Sequence, residues 1–351
     1  MTCLSWSMPK VSVIVPAYNA ERTILPAVQS ILDQTWSDLE IIVVNDGSTD
    51  ATRAVLSALR DQRISLLTCD KHGVAAARNH GIAISRGEFI AFLDADDLWT
   101  RDKLQLQLEA LDRRPVAGAA YSWTAFVDDC GRFLFAKVPQ YVEGDVYREL
   151  LVNFFLASGS NVLFRRRCLE AACAFDPEFQ PVEDWEFWLR MARRWPFALV
   201  PRYQVFYRFG TGSASTNVER YVDHIRKVVD REMSQGPSDL KARRDECLAN
   251  ASQHAAILCL ARIGGPTARR RALDFLKESI RAYPKTLFAR RTWSLIGCLV
   301  IVYLVRHSRV ARVARTLLRL YGKWMMLVNA ELRREVKRQR LSYFPVQNTR
   351  D

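Results

Sequence analysis

The sequence predicts an α/β protein built on a mostly parallel sheet with flanking helices, a mixed half beyond it and a basic helical region at its end. Three observations carry that expectation. Over residues 11–112 short β-branched runs alternate with helical stripes across short connections, the pattern of strands wound by right-handed crossovers. From about residue 115 strand-like and helix-like segments follow one another less regularly. Charge then divides the chain. Residues 1–240 hold 27 Lys and Arg against 31 Asp and Glu, a net of −4, whereas residues 241–351 hold 24 against 7, a net of +17. The change falls beside SQGPSD (234–239), a Gly/Pro/Ser-rich connection, so two units are expected, 1–233 and 234–351.

VSVIV (11–15) is a buried strand by composition, ended by Pro16. ERTILPAVQSILDQ (21–34) sets Ile24, Ala27, Val28, Ile31 and Leu32 on one helical stripe, with Pro26 early enough for its missing N–H to cost little. LEIIVVN (39–45) is a second strand, DGSTD a turn and ATRAVLSALR (51–60) a helix. ISLLT (64–68), VAAARNHGIAIS (74–85) and FIAFL (89–93) continue as strand, helix and strand, and residues 101–112 as helix. VAGAAYSWTAFV (116–127) then reads as strand, VLFRRRCLEAAC (162–173) as strand and helix, EDWEFWLRMARRW (183–195) as an amphipathic helix, and PFALVPRYQVFYRF (196–209) as two short strands. Beyond residue 220 the pattern is helical. The eight cysteines show no metal-like spacing, and the N-terminus lacks a basic stretch followed by an apolar run. Reduced thiols and a cytoplasmic location are therefore expected.

In parallel sheets ligands bind beyond the carboxyl ends of the strands, and the polar residues collect there. Tyr18 and Asn19 follow the first strand, Asp46 the second, and Asp94, Asp96 and Asp97 the fourth. Carboxylates this close repel one another, so the exit of the fourth strand calls for a cation. A helix cap would need one carboxylate rather than three. No G-x-G-x-x-G follows the first strand and no G-x-x-x-x-G-K-[ST] occurs, which disfavours dinucleotide and P-loop sites.

Six blocks stand in order across the first 215 residues: VSVIVPAYNAERTI, IIVVNDGSTDAT, HGVAAARNHGI, GEFIAFLDADDLW, SGSNVLFRRRCLE and VEDWEFWLRM. Together they resemble the family 2 inverting glycosyltransferases of GT-A fold; the residues beyond match no motif. The resemblance implies transfer of a sugar from a nucleotide-sugar donor, a UDP-sugar in the family's usual case, to a saccharide or lipid-linked acceptor in surface-polysaccharide assembly. DADD looks like the family's D-x-D motif. It implies Asp96 as a direct ligand of a divalent cation (Mn²⁺ or Mg²⁺), Asp94 facing the ribose or the metal, and Asp97 in support. Such a cation stabilises the charge that develops on a leaving diphosphate.

By the same resemblance Asp46 accepts from an N–H of the base, while Pro16, Ala17 and Tyr18 line the other side of its pocket. Arg78 has two open roles, a contact to the diphosphate or nucleoside and a salt bridge to an aspartate of the site. Asp184 becomes the general base that takes the proton of the acceptor hydroxyl, with Glu183 orienting the acceptor or a neighbouring side chain. SGSN (158–161) offers small residues where a sugar approaches backbone closely. Arg208 and Ser213, in YRFGTGSAST (207–216), are diphosphate contacts in one reading and members of a flexible Gly/Ser loop in the other. Asp50 reads as a helix cap, Asn79, His72 and His80 as structural, and Trp185, Trp188 and Leu189 as core.

Two other classes are weaker. A sugar nucleotidyltransferase of related fold would carry a Gly-rich, basic phosphate loop after the first strand, and PAYNAERT is not one. The net charge of +13 suggests a nucleic-acid-binding protein, yet zinc spacing and RNP-like motifs are missing, so no nucleic-acid partner is expected. WSLIGCLVIVYLV (293–305) is short of the roughly 20 residues that span about 30 Å of hydrocarbon. In RHSRVARVARTLLRLYGKWMM (306–326) arginines recur every three or four residues beside apolar ones, as in a basic amphipathic helix drawn to an anionic membrane surface. The alternative is a helical subdomain packed on the rest of the chain. A peripheral place on the inner face of the cytoplasmic membrane is thus one expectation.

Overall fold

The computed structural model describes residues 8–209, 217–236, 238–260, 265–304 and 316. Strand β1 (Val11–Ala17), helix α1 (Ile24–Leu32), β2 (Leu39–Asp46), α2 (Thr52–Ser57), β3 (Ile64–Cys69), α3 (Val74–Ile84) and β4 (Phe89–Phe92) alternate as the sequence predicts. The four strands are parallel and lie in the order β3-β2-β1-β4. The order reverses between β1 and β4, which makes a crevice at their carboxyl ends. Alternate side chains feed two cores. Ile14, Ile42, Val44, Ile90 and Phe92 enter one; Val13, Val15, Ile41, Val43 and Ala91 enter the other, with α1.

The second half contributes β5 (Leu98–Trp99), α4 (Lys103–Arg113), β6 (Ala119–Val127), β7 (Phe133–Ala136), α5 (Tyr147–Asn153), β8 (Leu163–Arg165), α6 (Leu169–Ala172), α7 (Glu183–Ala192) and β9 (Phe197–Arg208). The sheet runs on from β4 through β8, β6 and β9 to β5, with β7 paired to β6. Because β8 is antiparallel to β4, pairing Leu163 with Ala91, it starts where β4 ends. That direction alone carries residues 158–161 to the exit of β4.

Two sequence expectations need correction. Pro16 does not end β1, which continues to Ala17. Lys10 and Ile14 present their carbonyls to β4, so Pro16 faces the same side, but β4 pairs no further than Ile14. The N–H that proline lacks has no strand to bond there. Residues 197–208 form one strand rather than two. Its register against β6 slips between Tyr121 and Trp123, opposite Pro201 and Arg202, both exposed. A bulge there accommodates the missing donor without breaking the strand.

Helices α8 (Val218–Gln235), α9 (Arg244–Leu258), α10 (Gly265–Ala282) and α11 (Arg290–Leu304) follow. One apolar core runs from Ile14 and Phe92 through α5 and α7 to Ile225, Ala255, Leu276 and Leu299. The change of charge near residue 240 is therefore not a break in the core. Buried Glu232 of α8 accepts from the Tyr147 hydroxyl at 2.7 Å and from Arg193. Among the described residues no helix is long and apolar enough to cross a membrane. The segment 306–326 lies outside the described residues apart from Thr316.

Candidate active site at the strand ends

Arg78 is the hub of the site. It sits on Ala-rich α3 and is buried. Its Nη2 donates to Asp94 Oδ1 at 2.7 Å and its Nη1 to Glu183 Oε1 at 2.8 Å. One guanidinium fork thus ties the exit of β4 to the first turn of α7. Burial alone would lower its pKa, but Asp94, Glu183 and Asp184 outweigh that and push it up. Of its two open roles the structure displays the salt bridge. Glu183 Oε2 and Arg78 Nε are buried without a partner among the described residues.

Asp184 lies beside this pair, half-buried, with Oδ1 accepting from the Trp185 amide at 2.7 Å. Burial, then the like charge of Glu183, push its pKa up to about 7, against the pull of Arg78. Gly159 closes the group: a Cβ there would stand 2.7 Å from Arg78 Nη2 and 3.6 Å from Asp184 Cβ. The small residue is required by a guanidinium. Trp185, Trp188 and Leu189 are buried core, as read from their spacing.

At the exit of β4 the three aspartates separate. Asp97 is buried and turned inward, where its carboxylate accepts from Ser160 Oγ at 2.6 Å, Ser158 Oγ at 3.3 Å and the Arg208 amide at 3.1 Å. Burial, then Asp96 and Asp94, push its pKa well above the usual range. Asp94 and Asp96 are half-buried. Among the described residues no group of three or more His, Cys, Asp or Glu side chains is placed to hold a metal. Asp94 and Asp96 are carboxylates at one strand exit, the ligand type a hard cation takes together with diphosphate oxygens.

Arg208 is buried and bonds protein atoms: Nε donates to the Asp96 carbonyl at 3.0 Å, Nη1 to the carbonyls of Asp128 and Asp129 at 3.3 and 2.6 Å. Ser213 lies outside the described residues. Asp46, also buried, accepts from the amides of His72 and Gly73, each at 2.8 Å, and so holds the loop entering α3. Tyr18 is 42% exposed, with Lys71 Nζ 3.9 Å from its ring centroid, while Pro16 and Ala17 are buried beneath. Asp50, one residue before Ala51 at the N-cap of α2, accepts from the Thr52 amide at 2.9 Å, and Asn79 bonds both the amide and the carbonyl of Phe175.

Sequence reasoning missed what braces residues 160 and 161 from behind. Lys103 is buried, its Nζ 4.1 Å from the Trp99 ring and donating to Gln107 Oε1 at 2.8 Å, and burial pulls its pKa well down. Gln107 donates to the Asn161 carbonyl at 3.0 Å and Trp99 Nε1 to the Ser160 carbonyl at 2.8 Å. Asn161 in turn bonds Ser122, Thr124 and Leu156. A lysine on a helix reads as solvated until packing is known.

Comparison with known proteins gives the same picture. The computed structure resembles that of S. aureus TarS bound to UDP-GlcNAc, with a TM-score of 0.56 over 91% of this chain and 92% of that one, at 18% identity. At that identity the likeness concerns the fold. The chain is 33% identical over 186 residues to the Escherichia coli UDP-Glc:alpha-D-GlcNAc-diphosphoundecaprenol beta-1,3-glucosyltransferase WfgD, covering 52% of this chain and 70% of that protein. An uncharacterized glycosyltransferase of Rickettsia bellii is 32% identical over 192 residues, 53% of this chain but only 26% of its own length. The model of the family "Glycosyl transferase family 2" matches residues 12–172, from β1 to the end of α6. With that match and a 33%-identical relative covered over more than two thirds of its length, this chain belongs to glycosyl transferase family 2.

Proposed function

We propose that the chain transfers a sugar, with inversion, from a UDP-sugar to a hydroxyl of a saccharide or lipid-linked acceptor in surface-polysaccharide assembly. The observation that carries this reading is the Asp184 carboxyl, pushed up to about 7 beside Glu183, which shares Arg78 with Asp94 at the exit of β4. In a single in-line displacement the acceptor oxygen attacks the anomeric carbon as its proton leaves, and Asp184 takes that proton. A base with a pKa of about 7 is about half ionised near pH 7 and still basic enough to accept the proton. Glu183, anchored through Oε1, keeps Oε2 for an acceptor hydroxyl or for Asp184. Arg78 is a positioning residue, holding the base and the donor end at fixed separation.

Asp96 and Asp94 would hold a divalent cation, which when bound supplies positive charge to the diphosphate leaving group. Asp97 and Arg208 fix the backbone that carries them. Asp46 shapes the base pocket by holding residues 72 and 73, with carboxylate lone pairs left for a base N–H, and Pro16, Ala17 and Tyr18 form the opposite wall. A UDP donor and a lipid-linked acceptor are favoured by the names of the Escherichia coli relative and of the S. aureus complex.

Calorimetric titration of UDP with and without Mn²⁺ tests the metal assignment. Wild type is expected to bind far more tightly with the metal, and Asp96→Ala to lose that gain, about tenfold or more for one ligand. Unchanged metal dependence in the variant would remove Asp96 from the role.

A further inference from the structure

The last two helices treat solvent in opposite ways. On α10 the exposed positions after its first turn are Arg270, Arg271, Asp274, Lys277 and Arg281, all charged, as on an ordinary surface helix. On α11 the inward positions are Thr292, Leu295 and Leu299, and the exposed ones are Trp293, Gly297 and Val300. These recur at i, i+4 and i+7, one face of the helix. Trp293 is 62% exposed and Val300 53%. The turn leading into the helix adds Leu287 and Phe288, the latter 90% exposed. Trp293 Nε1 donates to the Leu287 carbonyl at 2.8 Å, so turn and helix form one apolar patch. The face that packs inward meets the expectation of a helical subdomain; the outward face is what a soluble surface avoids.

Charge names the occupant. From Ser279 to Ala330, 52 residues, there are ten Lys and Arg (281, 285, 290, 291, 306, 309, 312, 315, 319 and 323) and no Asp or Glu. An exposed Trp and Phe set among basic residues suits the headgroup boundary of a bilayer, where the rings enter the apolar layer and the cations meet anionic lipid. A second copy of this chain, itself locally cationic here, offers no such complement. We propose that Leu287, Phe288, Trp293 and Val300 seat the protein on an anionic lipid surface. The inference is independent of the transferase reading.

Sedimentation of the full chain with phosphatidylglycerol/phosphatidylcholine vesicles tests it. Wild type is expected to bind them in a salt-sensitive way and to leave phosphatidylcholine vesicles largely unbound. Phe288→Ser/Trp293→Ser should weaken binding about tenfold or more, given the apolar area lost, whereas Phe288→Leu/Trp293→Phe should stay near wild type. Phe288→Ser alone alters the more exposed residue and should weaken binding by a lesser factor without altering thermal stability. No binding by wild type, or equal binding by the serine variants, would overturn the proposal. So would a wild-type dimer that the serine variants convert to monomer, since the patch would then cover a second copy.

Discussion

Asp184 carries two opposing effects of one charge. Its pKa stands higher in the folded chain, about 7, than the ordinary 3.8, so the folded state binds the proton more tightly. Stability contributed by the protonated form is therefore fully present below about 3.8 and is lost as pH rises from there to about 7. Catalysis wants the ionised form. Asp184→Asn should lower kcat by about 10²-fold or more while leaving UDP affinity unchanged. It should also raise the melting temperature at pH 8, and by a smaller amount at pH 5. Kinetics and melting curves at the two pH values check both signs; a wild-type rate, or a lower melting temperature at pH 8, would speak against the assignment. That Asp94 and Asp96 leave a strand end was legible from the apolar run before them; their roles, and that of Asp184, are proposed from the order of the blocks. The contact of Gly159 with Arg78 and the burial of Lys103 were not, since both depend on residues distant in sequence.

At the scale of elements, the parallel run of β1 to β4 was legible from alternation alone, and with it the placing of polar residues at strand ends. The single β9 was hidden by Pro201, which reads as a break but occupies a bulge. The join between α7 and α8 was hidden too. Glu186 is buried between Arg190 and Arg231, and Glu232 between Arg193 and Arg231, so the helix of Asp184 is clamped to α8, the helix that leads into the basic region. Such buried pairs matter mostly when one partner is lost. Residues 158–161 form the other wall. Gly159→Ala would push a methyl against a guanidinium pinned by two carboxylates. We expect a loss of about 1–3 kcal/mol in chemical denaturation, the usual scale of overpacking, and a kcat deficit exceeding any change in donor affinity. Wild-type stability and rate in this variant would show that Arg78 has room to move.

For the whole molecule, the sequence divides by charge and the structure does not divide by packing: one core joins the sheet to α9, α10 and α11. Net charge governs what a surface attracts and says little about where a core ends. The candidate crevice at the β1–β4 switch and the apolar face of α11 are thus parts of one body of described residues, as the proposed transfer to an acceptor near a lipid surface would need. Inverting transfer with Asp184 as base leaves its signature in the product. Its most direct test is the anomeric configuration of the product, read by proton NMR after incubation with α-linked UDP-sugars and a saccharide acceptor. A β-linked product that forms with wild type and not with Asp184→Asn is the predicted result. An α-linked product, or an undiminished yield from the variant, would contradict it.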